Sequence, residues 1–442
     1  MTTTTRDPLP LEAPPSLARY QVVDELQMIR ALVTNCWPHE AAFGDAEGLR
    51  TLAFQTLRRW TGQGLGYQVR EGRRHYDPCE VFNFMKVISH SGDRVWPAAV
   101  AAGRRASRLF HRGRAAPETG THSPARFHVE FRREFHLGRR CPGALARLRV
   151  PVPFEDRTQY DIQIAVTDPA DAHVDAAPGR IEVRAEPAGD GTAAVEVHVS
   201  LTASCEVVAV DPSRLVAPDL SDPDVQLYTR PTEGLIRVTP AIAALAESLA
   251  GTARDPWQAL RRFWRFFFEH MQFGVIHPDQ LGASDPLGDL VQGGWCDCVT
   301  GSALLVALCR ARGIPARVVG GLCLEPDSPA IHYWAEVFLP PYGWFPLDLM
   351  SWDLAAGGSA TEWRDHYFGR MDHRMKTECL PRIFVGPVGV RRPPAWYVLV
   401  TRETDTTQVE HYALPNVLLY RDRFRVTELE PGTSWKQARA HL

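Results

Sequence analysis

Long apolar runs are missing from this 442-residue chain. No stretch reaches about 18 uninterrupted apolar residues, the length a helix needs to span a bilayer, so no membrane partner is expected. The first ten residues are rich in threonine and proline and hold no apolar signal core, and the expectation is therefore a cytoplasmic chain. A dominant charge is also lacking. The formal net charge is −3, and arginine pairs such as Arg132-Arg133 read as solvated strand ends, so no nucleic-acid partner is expected. Cysteine is sparse and odd in number, with nine residues scattered along the chain, which suits free thiols in a reducing compartment better than a disulfide frame.

What is present is the composition of globular protein, 45% hydrophobic and 23% charged, in a chain long enough for two to four domains. Residues 1–112 read as a helical domain: Val22, Val23, Leu26, Ile29, Leu32 and Val33 recur at helical spacing, as do Leu52, Phe54, Leu57 and Trp60. The polar Gly/Pro stretch 113–126 reads as a linker. From Phe127 the apolar period changes to two, through Val129 and Phe131 and later Val195, Val197 and Val199, which predicts a β-rich, sandwich-like domain over 127–215. A core follows over 216–385, opening with helices at Thr239-Pro240 and Asp255-Pro256. The segment 386–442 is expected to supply further strands and a tail.

Within that core, three residues stand in an order that suits thiol chemistry. Cys298 opens an apolar helical run that stops at Gly313-Ile314-Pro315. His332 begins an extended segment and Asp348 ends the next one, so base and orienter are expected on neighbouring strands. The free N–H groups and partial positive charge of a helix start favour a thiolate, as does a nearby imidazolium. His332 would take the thiol proton and return it to a leaving group, and Asp348 would fix the imidazole tautomer. The expected intermediate is an acyl thioester on Cys298.

The letters and spacing of residues 291–348 resemble the core of the transglutaminase-like superfamily. They include Cys298, Gly313 to Arg317, His332/Trp334/Glu336/Val337 and Gly343/Trp344/Pro346/Asp348. The resemblance implies an α+β, papain-like core with an antiparallel sheet and a nucleophile helix, and a Cys-His-Asp enzyme without metal or other cofactor. It also implies that an aromatic or amide residue ahead of the nucleophile serves the oxyanion, for which Gln272 and Trp295 are the candidates beside the Cys298 N–H. Cys296, two residues upstream, reads as a pocket residue, although a Cys-x-Cys pair alone also fits a metal pair or a redox dithiol. Trp334 and Trp344 share the two strands and are further pocket candidates.

Members of the superfamily differ in which group takes the acyl unit. The expected partners are an acyl donor, whether peptide, amide or carrier-protein thioester, and an amine or water acceptor. Acyl transfer, as in natural-product amide formation, is the preferred reading. Peptide or amide hydrolysis and an inactive binding module are the alternatives, and the oligomeric state is left open.

Overall fold

The computed structural model describes residues 22–36, 46–90, 119–136, 146–169, 174–185, 188–189, 192–253, 255–274, 276, 281, 284–325, 329–355, 360–380, 398–403, 408–413 and 420–430. The N-terminal part combines strand β1 (Val23–Asp24), helices α1 (Glu25–Cys36) and α2 (Ala46–Gly62), strands β2 (Gln68–Arg70) and β3 (Arg73–Tyr76), and helix α3 (Pro78–His90). It differs from the all-helical expectation by a small antiparallel sheet in the order β1-β3-β2. Those strands are short and arginine-rich, so no apolar alternation marks them. The helices bury Met28, Ile29, Leu32, Ala53, Leu57 and Trp60 in one cluster. Leu26 and Phe54, expected in the apolar stripes, are exposed instead.

The next region is built from β4 (Gly120–His136), β5 (Ala146–Pro151), β6 (Gln159–Asp168), β7 (Val174–Ala177), β8 (Arg180–Ala185) and β9 (Thr192–Val207). β4 begins at Gly120, so the last residues of the expected 113–126 linker are already strand. Their pairing with the far end of β9, Gly120 opposite Val207, outweighs their polar composition. Alternate residues of β4 and β9, among them Phe127, Val129, Val197 and Val199, share a buried cluster with Leu148, Val150, Ile181 and Val183 of β5 and β8. Period two in the sequence thus becomes one buried face on each of two sheets.

The core begins with helices α4 (Pro240–Ala250) and α5 (Pro256–His270), capped by the side chains of Thr239 and Asp255 with proline in the first turn. Strand β10 (Gln272–Phe273), helix α6 (Pro286–Gly293) and strand β11 (Trp295–Cys296) lead into helix α7 (Cys298–Ala311). Strands β12 (Ala316–Cys323), β13 (Ala330–Phe338) and β14 (Trp344–Leu347) follow, then β15 (Arg370–Met371) and β16 (Arg374–Cys379). The core sheet is antiparallel in the order β14-β13-β12-β16. Its Val318, Tyr333, Ala335 and Val337 pack on the almost wholly buried α7. The other face carries Val319 and Trp334, which meet Met371 and Phe154.

The last strands return to the β-rich region rather than extending the core sheet. β17 (Val398–Glu403) pairs with β5, β18 (Gln408–Ala413) pairs with β17, and β19 (Tyr420–Leu429) pairs with β4. β15 joins the end of β9, so one short strand ties the core to the same sheet. The expected C-terminal tail lies outside the described residues. Among the described residues, no helix is long and apolar enough to cross a membrane.

Candidate active site

Asp297 sets the start of α7. Its carboxylate accepts the Thr300 N–H at 2.7 Å while the Thr300 hydroxyl accepts the Asp297 N–H at 2.9 Å, a reciprocal cap that leaves Cys298 as the first helical residue. Gly301 then permits close packing: a Cβ there would lie 2.6 Å from a Leu349 methyl and 3.2 Å from the Cys296 sulfur. Cys298 is half-buried, whereas Cys205, Cys296, Cys309, Cys323 and Cys379 are buried.

The thiol of Cys298 meets the core sheet at the backbone N–H of Tyr333, the residue after His332. On β13, His332, Trp334 and Glu336 point to one side and Tyr333, Ala335 and Val337 to the other. His332 Nε2 lies 2.8 Å from Asp348 Oδ1, with both groups buried. Asp348 follows β14 and also accepts the Met350 N–H at 2.8 Å.

Electrostatics at the two ends differ from the simplest expectation. Burial pushes the Cys298 thiol well above its ordinary range; Asp297, Asp348 and Cys323 add to this, and only the Tyr333 N–H opposes them. Desolvation of a thiolate and the capping carboxylate beside it thus work against the favourable end of the helix dipole. At Asp348, burial works against ionisation too, but His332, Arg374 and the Met350 N–H hold the carboxyl below its usual range.

Arg374, on β16, carries no signal in the sequence that would have joined it to this site. Its Nη2 donates to Asp348 Oδ2 at 3.0 Å, its Nη1 to the Cys323 sulfur, and its guanidinium lies 5.4 Å from the Tyr367 ring centre. A second buried charge group lies further along β13. Glu336 receives Lys376 Nζ at 2.8 Å and Arg317 Nη2 at 2.6 Å, and Lys376 reaches Asp156 of the β-rich region at 2.6 Å.

Among the other candidates, Trp334 is fully buried, its ring nearly parallel to His332 with centres 6.5 Å apart. Trp344 is drawn elsewhere: it lies under Arg317 at 4.0 Å and edge-on to Tyr228 at 4.9 Å, four extended residues, about 13 Å, from Asp348. Gln272 is exposed and pairs in parallel with Trp295, so both oxyanion candidates sit on adjoining strands just ahead of Cys298. Trp295 also borders a cavity of about 500 Å³ whose walls come from Gly66, Glu80 and Asn83 of the N-terminal part and from Asp289 and Leu290 of the core. Among the described residues, no group of three or more His, Cys, Asp or Glu side chains could hold a metal ion.

Residues 243–349 match the family model of the transglutaminase-like superfamily. No curated protein matches the chain in sequence. Among solved structures, a candidate cysteine protease from Cytophaga hutchinsonii is similar at 11% identity and a TM-score of 0.47, over 71% of this chain and 94% of that one. The periplasmic domain of TgpA from Pseudomonas aeruginosa is similar at 17% identity and a TM-score of 0.27, over 57% of this chain and 100% of that one. Residues 243–349 of the chain thus carry a transglutaminase-like domain.

Proposed function

We propose that Cys298, His332 and Asp348 form a nucleophile, base and orienter that transfer an acyl group through a Cys298 thioester. The observation that carries this reading is the buried 2.8 Å contact of His332 Nε2 with Asp348, on the strand whose Tyr333 N–H meets the Cys298 thiol. In the first step the thiol proton passes to His332 Nδ1 and the sulfur attacks the donor carbonyl. The oxyanion is met by the Cys298 N–H, one of the helix-start donors without an intrahelical partner, helped by Gln272 or Trp295. Collapse expels the leaving group, which takes the proton back from the imidazolium. The acceptor then loses its proton to His332 as it attacks the thioester, and Cys298 is released.

An amine acceptor gives amide formation and water gives hydrolysis. Transfer is the preferred reading, because the cavity beside Trp295 offers an acceptor a place walled partly by the N-terminal part of the chain. In this reading residues 1–112 are an acceptor-side domain, residues 127–215 a supporting one, and the enzyme works in the cytoplasm. The test is intact-mass measurement after incubation with acyl-thioester and peptide donors, with and without added amines. An adduct on the wild type that Cys298→Ala lacks is expected. Discharge of that adduct to an amine supports transfer, discharge only to water supports hydrolysis, and the same adduct on Cys298→Ala refutes the nucleophile.

A further inference from the structure

We infer that the cavity between α3 and α6 is a binding site for an aliphatic amine that carries a second positive charge, a diamine in the simplest case. The inference deepens the acceptor reading given above and rests on it for the role of the ligand. The cavity, about 500 Å³, is of a size that takes a small molecule. Its walls come from two parts of the chain far apart in sequence: Glu80, Asn83 and Phe84 of α3 on one side, and Asp289 and Leu290 of α6 with Trp295 of β11 on the other.

Two glycines let these walls meet. A Cβ on Gly274 would lie 2.5 Å from Asn83 Oδ1 and 2.6 Å from the Trp295 ring, and one on Gly66 would lie 3.2 Å from Glu80 Oε2. The bare backbone of Gly274 thus brings the α3 amide and the core indole to the same point. The charged groups of the lining are the carboxylates of Glu80, which is half-buried, and Asp289, which is exposed. Among the described residues that line the cavity, none is lysine, arginine or histidine. A carboxylate has about four acceptor positions, so either can take a ligand N–H beside a protein donor. Aromatic rings such as those of Trp295 and Phe84 attract a cation placed over their faces, and Leu290 suits an alkyl stem. Carboxylates, aromatic rings and aliphatic side chains together fit an ammonium group on a hydrocarbon chain. An amine that attacks a thioester does so in its neutral form, so a second cationic group is what the carboxylates hold while the first reacts.

The test is calorimetric titration of the full chain carrying Cys298→Ala, so that binding is read without any reaction at the thiol. The probes are cadaverine, a linear diamine, and pentanediol, its neutral analogue of the same length. Cadaverine should bind at least about tenfold more tightly than the diol, the ratio that one charge-assisted hydrogen bond supplies. Glu80→Gln and Asp289→Asn should each weaken cadaverine binding by about tenfold, with melting recorded for each variant, and added salt should weaken it further. Absence of cadaverine binding overturns the proposal, as does equal binding of the diol or wild-type affinity in either folded variant. Should Glu80→Gln not fold, Asp289→Asn alone decides, because Asp289 is exposed. Failure of the transfer reading looks different: the wild type would bind cadaverine and still discharge its acyl adduct only to water.

Discussion

Cys298 and Asp348 lie within one candidate site, yet their surroundings act in opposite directions. The carboxylate is kept ionised by an imidazole, a guanidinium and a backbone N–H, although burial resists it. The thiol has burial and nearby carboxylates against it and a single N–H in its favour. A helix start followed by cysteine is therefore not enough to make a thiolate. The fixed positive charge of Arg374 lies at the carboxylate end of the site.

The largest effect that tests this contrast comes from the thiol end. Cys298→Ala should abolish the covalent adduct completely, and His332→Ala should nearly do so, because the thiol then has neither a proton acceptor nor a donor for the leaving group. Intact-mass measurement of adduct formation reads both. A His332→Ala protein that acylates at the wild-type rate would show that the thiol is activated by something other than the base.

The carboxylate end should give a smaller loss. Asp348→Asn places an amide between His332 and Arg374, favouring the wrong imidazole tautomer and setting an NH₂ group against a guanidinium if the amide turns to accept from His332. Acylation should fall by about 10²–10⁴-fold. A variant within a few-fold of wild type would mean that Asp348 is a structural partner of Arg374 and does not orient the base.

How much of this was readable beforehand follows from sequence distance. Cys298, His332 and Asp348 lie within 50 or so residues, each next to a turn or helix boundary that the local letters mark, and the helix ends as the Gly313-Ile314-Pro315 stop suggests, at Ala311. Arg374 enters through a strand on the opposite edge of β12, a pairing that no local period reports. The C-terminal strands are similar. Their apolar residues gave strands, but not that β19 would align with β4 almost 300 residues earlier, since pairing partners are fixed by the assembled sheet. Trp344 lies beneath the Arg317 guanidinium, a contact that alternation, which tells only which face a residue takes, does not report.

Glu336 extends the comparison to a second buried carboxylate, one that touches no proposed reacting group. Lys376 and Arg317 hold its carboxyl far below the ordinary range against strong burial. A depressed folded-state value means stability that is full above the ordinary carboxylate range and lost as pH falls through and below about 4. Glu336→Gln should destabilise the fold by about 3–5 kcal/mol near neutral pH, because two buried cations lose their partner, and it should weaken the acid dependence of melting. Unchanged melting would mean that Asp156 and solvent compensate the cations, and that fixed charge on this sheet matters only beside His332.

The smallest effect should come from Cys296, which shares a Cys-x-Cys pair with Cys298 but not its position. It lies on β11, buried, with its sulfur beneath Gly301, whereas Cys298 opens the helix and is the more exposed of the two. Cys296→Ala removes one buried sulfur and should cost about 1–2 kcal/mol of stability, less than truncation of a larger core side chain. Adduct formation should stay within a few-fold of wild type, and Cys298 should remain the first thiol to react with iodoacetamide among the six cysteines whose side chains are described. Peptide mapping of the alkylated site after short exposure checks this directly. A Cys296→Ala protein that no longer forms the adduct, beside an active Cys298→Ala, would move the nucleophile two residues upstream and out of the helix start altogether.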